Sequence, residues 1–349
     1  MNIPDEVTQN DSYEIPTKTT FGKSEGTVIC KVNDKEIKNT NELEEGENTI
    51  TCIATSGSGK TTEISKTITL VKVSSLKDTI MSREIITTEP TLITSSNNTE
   101  DASGLYKSTA TNSGEPTYYF SGDVQDNYVS FAGQTWRIVR INEDGTIRLI
   151  MQDGINNNTF YIYNSNYNNY KYMYYSNSEA KTLLESWYET NIGNNETYSK
   201  QVVTGAYFCE QAKVKENSNL TSENAAMDIY KDYEANFKCD SDGNNMGVIS
   251  SNIGLITYDE AIFAGAYNKE INDSYYLYGG TYFWTMSPAG VLPSINASAC
   301  VWDVNPSYSL ETRYVNTAYN DGVLRPVINL KSDTNMIGSG TIDDPYVVK

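Results

Sequence analysis

From residue 27 to residue 71 apolar and polar side chains alternate with the two-residue period of half-buried strands. Residues 27–32 read as one strand and Asn33-Asp34-Lys35-Glu36 as a turn. Residues 48–55 read as a second strand, and residues 62–71 as the strand returning after Ser56-Gly57-Ser58-Gly59-Lys60. Short strands at close turn spacing predict an all-β sandwich over residues 1–73. Residues 74–117 carry a weaker pattern. A short helix is expected at 76–86, then a Thr/Ser/Asn/Glu-rich arm containing Pro90 and Pro116, anchored by Leu105-Tyr106 and Tyr118-Tyr119-Phe120.

The pattern sharpens from residue 118 onward. Residues 128–133, 135–141 and 146–151, with a Glu143-Asp144-Gly145 turn, predict a hairpin with Trp136 in its core. Residues 156–175 are rich in Tyr and Asn and leave two readings open, a sugar-stacking face or a packed strand. Ser176 with Glu179 has capping-box spacing, and Ala180, Leu183, Leu184 and Trp187 follow with helical period until Gly193. Residues 221–235 have a helical pattern, and Thr257 with Glu260 caps a short helix ended by Gly265. Strands are expected at 275–278 and 281–286. The stretch from Phe283 to Leu330 has apolar ends, including Val323, Val327, Ile328 and Leu330, around a polar and aromatic middle. The expected fold class is α+β, an all-β sandwich unit followed by an α+β domain over 118–349.

Composition narrows the function. The 349-residue length suits two domains. A net charge of −19 and a pI near 4.4 repel phosphate, which argues against nucleic acid or an anionic membrane as partner. The chain has no histidine, so Ser-His-Asp, Cys-His and HExxH chemistry are excluded, leaving carboxylate, Lys, Tyr or Cys chemistry. Tyrosine is abundant at 27 residues, and its amphipathic ring favours binding faces. No run approaches the roughly 20 apolar residues of a membrane span. Met1-Asn2-Ile3-Pro4-Asp5 is not a leader, so the signal or anchor of a secreted protein is expected outside this chain.

Individual motifs mostly read as structure. Ser58-Gly59-Lys60-Thr61 is not a phosphate loop, because Ala54 stands where the first glycine would fall. Asp240-Ser241-Asp242-Gly243-Asn244-Asn245 resembles the front of a calcium loop, but Asn245 and Ser251 occupy the places of the required Gly and Glu. It reads as a polar turn. A looser calcium site near Asp240 and Asp242 is the one cofactor reading, and none is otherwise expected. Cys30 with Cys52 and Cys209 with Cys239 are expected to pair, each closing a loop worth roughly 3 kcal/mol. Cys300 is left over as buried filler, and Arg325 is expected to brace the frame through a carboxylate or backbone carbonyls.

Two resemblances add to this reading. Gly46-Glu47-Asn48-Thr49-Ile50-Thr51-Cys52-Ile53-Ala54-Thr55-Ser56-Gly57-Ser58-Gly59-Lys60 resembles the closing hairpin of HYR-type immunoglobulin-like modules, which implies an extracellular spacer or adhesion module. Residues 118–349 look like a domain common in surface proteins of gut Firmicutes. The marks are Phe131-Ala132-Gly133 with Trp136-Arg137-Ile138-Val139-Arg140-Ile141-Asn142, Trp187-Tyr188-Glu189-Thr190-Asn191, Gly254-Leu255-Ile256-Thr257-Tyr258-Asp259-Glu260-Ala261, Trp284-Thr285-Met286-Ser287-Pro288, Gly322-Val323-Leu324-Arg325-Pro326-Val327-Ile328-Asn329-Leu330, and the ending at 338–346.

That domain is similar in turn to C-type-lectin-like folds, including formylglycine-generating enzymes and retroelement-diversified variable proteins of bacteria and phages. The similarity implies a contact surface just before the final strand, at Trp302, Asp303, Asn305, Tyr308, Arg313, Tyr314, Asn316, Tyr319 and Asn320. The E-P-N and Q-P-D sugar motifs of calcium-dependent lectins are missing, and Cys300 lacks the paired cysteine that formylglycine chemistry needs. The expected function is therefore non-enzymatic binding of a host or bacterial surface protein or glycan, in an extracellular, cell-surface or phage-particle setting. A structural ectodomain of a surface appendage and a carboxylate-based glycan-acting enzyme are the alternatives.

Overall fold

A computed structural model describes residues 2–9, 11–22, 24–88, 102–212, 235–242, 245–266, 272–292, 298–306, 309–316 and 322–349. The fold is mixed α+β and mostly sheet, with few helices. The chain divides into two units, residues 1–74 with 335–337, and residues 75–334 with 338–349.

In the first unit the strands run, side by side, Glu6–Thr8, Thr61–Val71, Gly46–Ser56, Ser24–Val32 and Lys18–Phe21, with Lys35–Glu36 added to Ser24–Val32. Glu6–Thr8 is parallel to its neighbour and the others are antiparallel. Alternation is realised as expected at Asn48, Ile50 and Cys52, which face inward, while Ile53 stays exposed. The expected two-sheet sandwich is not what the hydrogen bonds give, since these strands join one sheet. Its buried face is covered by connecting segments, with Ile3, Ile15, Ile37 and Leu43 packed beside Ile50 and Ile68. A two-residue period says that one face is buried and leaves open what buries it. Cys30 and Cys52 stand directly opposite each other and form a disulfide.

The second unit is organised on Gln134–Ile141. This strand pairs with Tyr128–Phe131 and Thr117–Ser121 and with Ile147–Met151, which in turn pairs with Val327–Leu330. Gly104–Ser108 extends the sheet beside Thr117–Ser121. Trp136 is fully buried and donates its indole N–H to the Phe131 carbonyl at 3.0 Å. A second sheet has the order Phe160–Tyr161, Gly322–Val323, Phe283–Leu292, Ser298–Asn305, Ser309–Tyr314. A two-stranded ribbon, Ala206–Cys209 with Val248–Ser251, is tied by the Cys209–Cys239 disulfide.

The helix Tyr258–Ala264 is buried along its whole length and carries the expected capping box, Thr257 with Glu260, closed by Gly265 at φ +121°. A further helix, Glu179–Tyr188, is capped by Ser178 and not by Ser176. Ser176 is taken up elsewhere, donating its backbone N–H and hydroxyl to the buried Glu210 carboxylate at 2.7 and 2.9 Å. The strand expected at 275–278 is a turn, because the Leu277 carbonyl accepts from Arg325 and the Tyr276 N–H donates to the Gly122 carbonyl. Within 156–175 the chain makes short turns in which Tyr163, Tyr174 and Tyr175 are core, while Tyr161, Tyr167, Tyr170 and Tyr172 are half-buried. The helix expected at 221–235 lies outside the described residues, apart from residue 235.

Candidate functional site

The region singled out before the final strand is an antiparallel hairpin of Ser298–Asn305 and Ser309–Tyr314, at one edge of the second sheet. Its register sets Asp303 opposite Glu311 and Val301 opposite Arg313, so these side chains share one face. Arg313 donates from Nε to Asp303 Oδ2 at 2.8 Å, and its guanidinium lies 4.3 Å over the half-buried Tyr282 ring. Asn305 donates to Glu311 at 2.8 Å. Asp303 is 1 % exposed, and its Oδ1 has no hydrogen-bond partner. Burial pushes its carboxyl up to about 7; Arg313 opposes the rise and Glu311 adds to it.

On the other face Trp302 is fully buried, its ring centroid 4.7 Å from that of Tyr258 with the planes tilted by 52°, and its carbonyl accepts from Thr285 Oγ1 at 2.7 Å. The expectation that Trp302, Asp303 and Asn305 form an outward contact surface is therefore corrected, since each is under 4 % exposed. The reason is what covers each face: Tyr258 of the buried helix packs on Trp302 on one side, and Arg313, itself against the Tyr282 ring, covers Asp303 on the other. The accessible part of the region is the outer strand, where Glu311, Thr312, Arg313 and Tyr314 are all half-buried, as is Asn316 beyond it. Tyr308, Tyr319 and Asn320 lie outside the described residues.

The hairpin rests on a frame held by buried charge. Bonding Gln134–Ile141 to Ile147–Met151 and then to Val327–Leu330 aligns Arg140, Arg148 and Asn329 across three strands. Glu260, the capping-box residue of the buried helix, meets this row. Its Oε1 accepts from Arg140 Nε at 3.0 Å and Arg148 Nη1 at 2.6 Å, while Oε2 accepts from the Thr257 N–H at 3.1 Å. Burial alone would raise its carboxyl, but Arg148 and Arg140 outweigh it and hold it at about 2. Sequence reading found Glu260 only as a cap. The missed signal was the pair of arginines within strands that are otherwise apolar. Arg325 braces the frame as expected, donating to the Met151 and Leu277 carbonyls at 2.9 and 2.8 Å.

The calcium reading of Asp240 and Asp242 falls on a loop of which residues 243–244 lie outside the described residues. Asp242 accepts from Tyr174 Oη, Ala212 N–H and Met246 N–H, and Asp240 accepts from Asn112. Carboxylates turned toward N–H and O–H donors describe a polar turn. No group of three potential metal ligands occurs among the described residues. Cys300 is a buried thiol outside both disulfides. No described helix is long and apolar enough to cross a membrane.

Comparison with protein-family models, curated proteins and solved structures finds no match to this chain.

Proposed function

We propose that this chain is a non-enzymatic binding protein of an extracellular, cell-surface or phage-borne setting. In this reading the first unit, one sheet with its buried face covered by connecting segments, is the extracellular spacer that its HYR-like hairpin implies. The second is a C-type-lectin-like domain that recognises a surface protein or glycan. The observation that carries it is the outer strand of the second sheet. Glu311, Thr312 and Tyr314 stand partly accessible beside Arg313, whose side chain is 10 % exposed, on a backing of fully buried Trp284, Trp302, Leu310 and Val315. Mixed charged and aromatic side chains on a rigid support make an interaction surface with little ordering cost. The two disulfides agree with an oxidising compartment.

One observation favours the enzymatic alternative. Asp303 and Glu311 are two carboxyls directly opposite on one face, the first poised near neutrality. Retaining glycan hydrolysis uses such a pair about 5 Å apart. A single experiment separates the readings. Tyr314→Ala and Arg313→Ala are compared with Asp303→Asn on arrays of surface glycans and proteins, and on a panel of chromogenic glycosides. The binding reading expects at least tenfold weaker capture for the first two, with circular dichroism unchanged and no turnover by the parent protein. Turnover abolished by Asp303→Asn would replace it with the enzyme.

A further inference from the structure

The Tyr/Asn-rich segment left unassigned by the sequence contains an unusual backbone. Asn156, Asn157 and Asn158 take φ of 51°, 57° and 58° in succession, a left-handed helical turn. Left-handed residues are normally isolated, because every L side chain with a Cβ pays for crowding there, Asn least among non-glycines. Three in a row persist only where neighbours hold them. Here the Ile155 N–H donates to the Leu324 carbonyl, and the Gly154 N–H to Asn158 Oδ1. Asn156 Nδ2 donates to Tyr161 Oη at 2.7 Å. Just beyond the turn, Phe160–Tyr161 pairs with Gly322–Val323, and the Tyr161 carbonyl accepts from Trp284 Nε1 at 2.8 Å. The turn is thus held at both ends by the core, yet Asn156, Asn157 and Thr159 are exposed, and Phe160 is 49 % exposed.

We infer that the 156–160 turn is a contact site for a neutral saccharide. A sugar ring offers an apolar C–H face, which an exposed aromatic such as Phe160 can cover. Its hydroxyls both donate and accept, and so do the amides of Asn156 and Asn157. The exposed Asp153 carboxylate beside the turn and the net charge of −19 disfavour an acidic sugar. A five-residue turn with one aromatic falls far short of the roughly 800 Å² per partner that a stable protein interface needs. The site goes beyond the proposed outer-strand surface, for Phe160–Tyr161 and Ser309–Tyr314 are the two outer strands of the same sheet.

The test uses the full chain on a printed array of neutral oligosaccharides ending in galactose, glucose or mannose, alongside sialylated and sulfated ones. The strongest neutral hit is then titrated by calorimetry. The inference expects capture by a neutral class and at least tenfold weaker binding in Phe160→Ala and Asn157→Ala. It expects retention in Phe160→Tyr, with near-ultraviolet circular dichroism unaltered throughout. Capture of acidic glycans alone, or of none, overturns it. So does binding that survives Phe160→Ala and Asn157→Ala. Loss in Tyr314→Ala only would overturn this inference while supporting the outer-strand reading.

Discussion

Glu260→Gln isolates the contact on which the second unit depends. The substitution keeps the size of the side chain and an oxygen for the cap, but removes the charge shared by Arg140 and Arg148 at 3.0 and 2.6 Å. Glu260 is 2 % exposed and both arginines are buried, so the change strands two guanidiniums away from water. Breaking a buried pair in this way costs about 3–5 kcal/mol. An independent figure agrees. Holding a carboxyl at about 2 rather than at its ordinary 4.5 corresponds to about 3 kcal/mol of folding free energy. The sign follows from proton uptake. The folded carboxyl is the stronger acid, so its contribution is complete above about pH 4.5 and is lost as pH falls toward 2.

All four tryptophans, Trp136, Trp187, Trp284 and Trp302, lie in the second unit, so tryptophan fluorescence during urea unfolding reads that unit alone. At neutral pH the variant should lose about 3–5 kcal/mol, and its stability should fall less steeply with acid than that of the parent. Replacing Arg140, Arg148 and Glu260 together by Met should recover much of the loss, because no unpaired buried charge remains. A Glu260→Gln loss below about 1 kcal/mol, with the parent's acid profile retained, would refute the assignment of this triad as the brace of the frame.

Two further outcomes concern the same unit. Asp303 is held at about 7 instead of 3.8, so the folded state favours the neutral acid and gains stability as pH falls from about 7 toward 4. Asp303→Asn should flatten that slope and, near pH 8, stabilise the second unit by up to about 4 kcal/mol. Urea midpoints between about pH 5 and 8 check it, and an unchanged slope would count against the burial argument. Cys209→Ser with Cys239→Ser opens a bridge spanning 30 residues, which should remove about 3–4 kcal/mol in the chain-entropy model. It should lower the fluorescence-detected midpoint while the first unit, followed by amide hydrogen exchange, keeps its protection.

Much of the local structure was legible in the chain. The two-residue alternation marked the Gly46–Ser56 strand, and a hairpin signal around Glu143-Asp144-Gly145 marked Gln134–Ile141. Capping-box spacing marked the Tyr258–Ala264 helix. Capping chemistry also misled: Ser176 has the right spacing to Glu179, but Glu210, thirty-four positions away, competes for its donors and Ser178 takes the cap. The polar stretch before the final strand looked exposed for a similar reason. Trp302, Asp303 and Asn305 resemble surface residues only until Tyr258 packs on Trp302 and Glu311 and Arg313 reach across to Asn305 and Asp303, where Arg313 supplies the charge that makes a buried carboxyl tolerable.

The sequence by itself determined the pieces and several of their limits. Missing histidine closed whole classes of chemistry, periodicity named the strands, and caps named a buried helix, because each is a property of neighbouring residues or of composition. Only the tertiary structure decided which polar residues are interior. Burial of Asp303, the joining of Glu260 to Arg140 and Arg148, and the exposure of Phe160 depend on partners far along the chain. Electrostatic and packing energies are set by distance in space, and spacing along a sequence does not encode that distance beyond a helical turn or a strand pair.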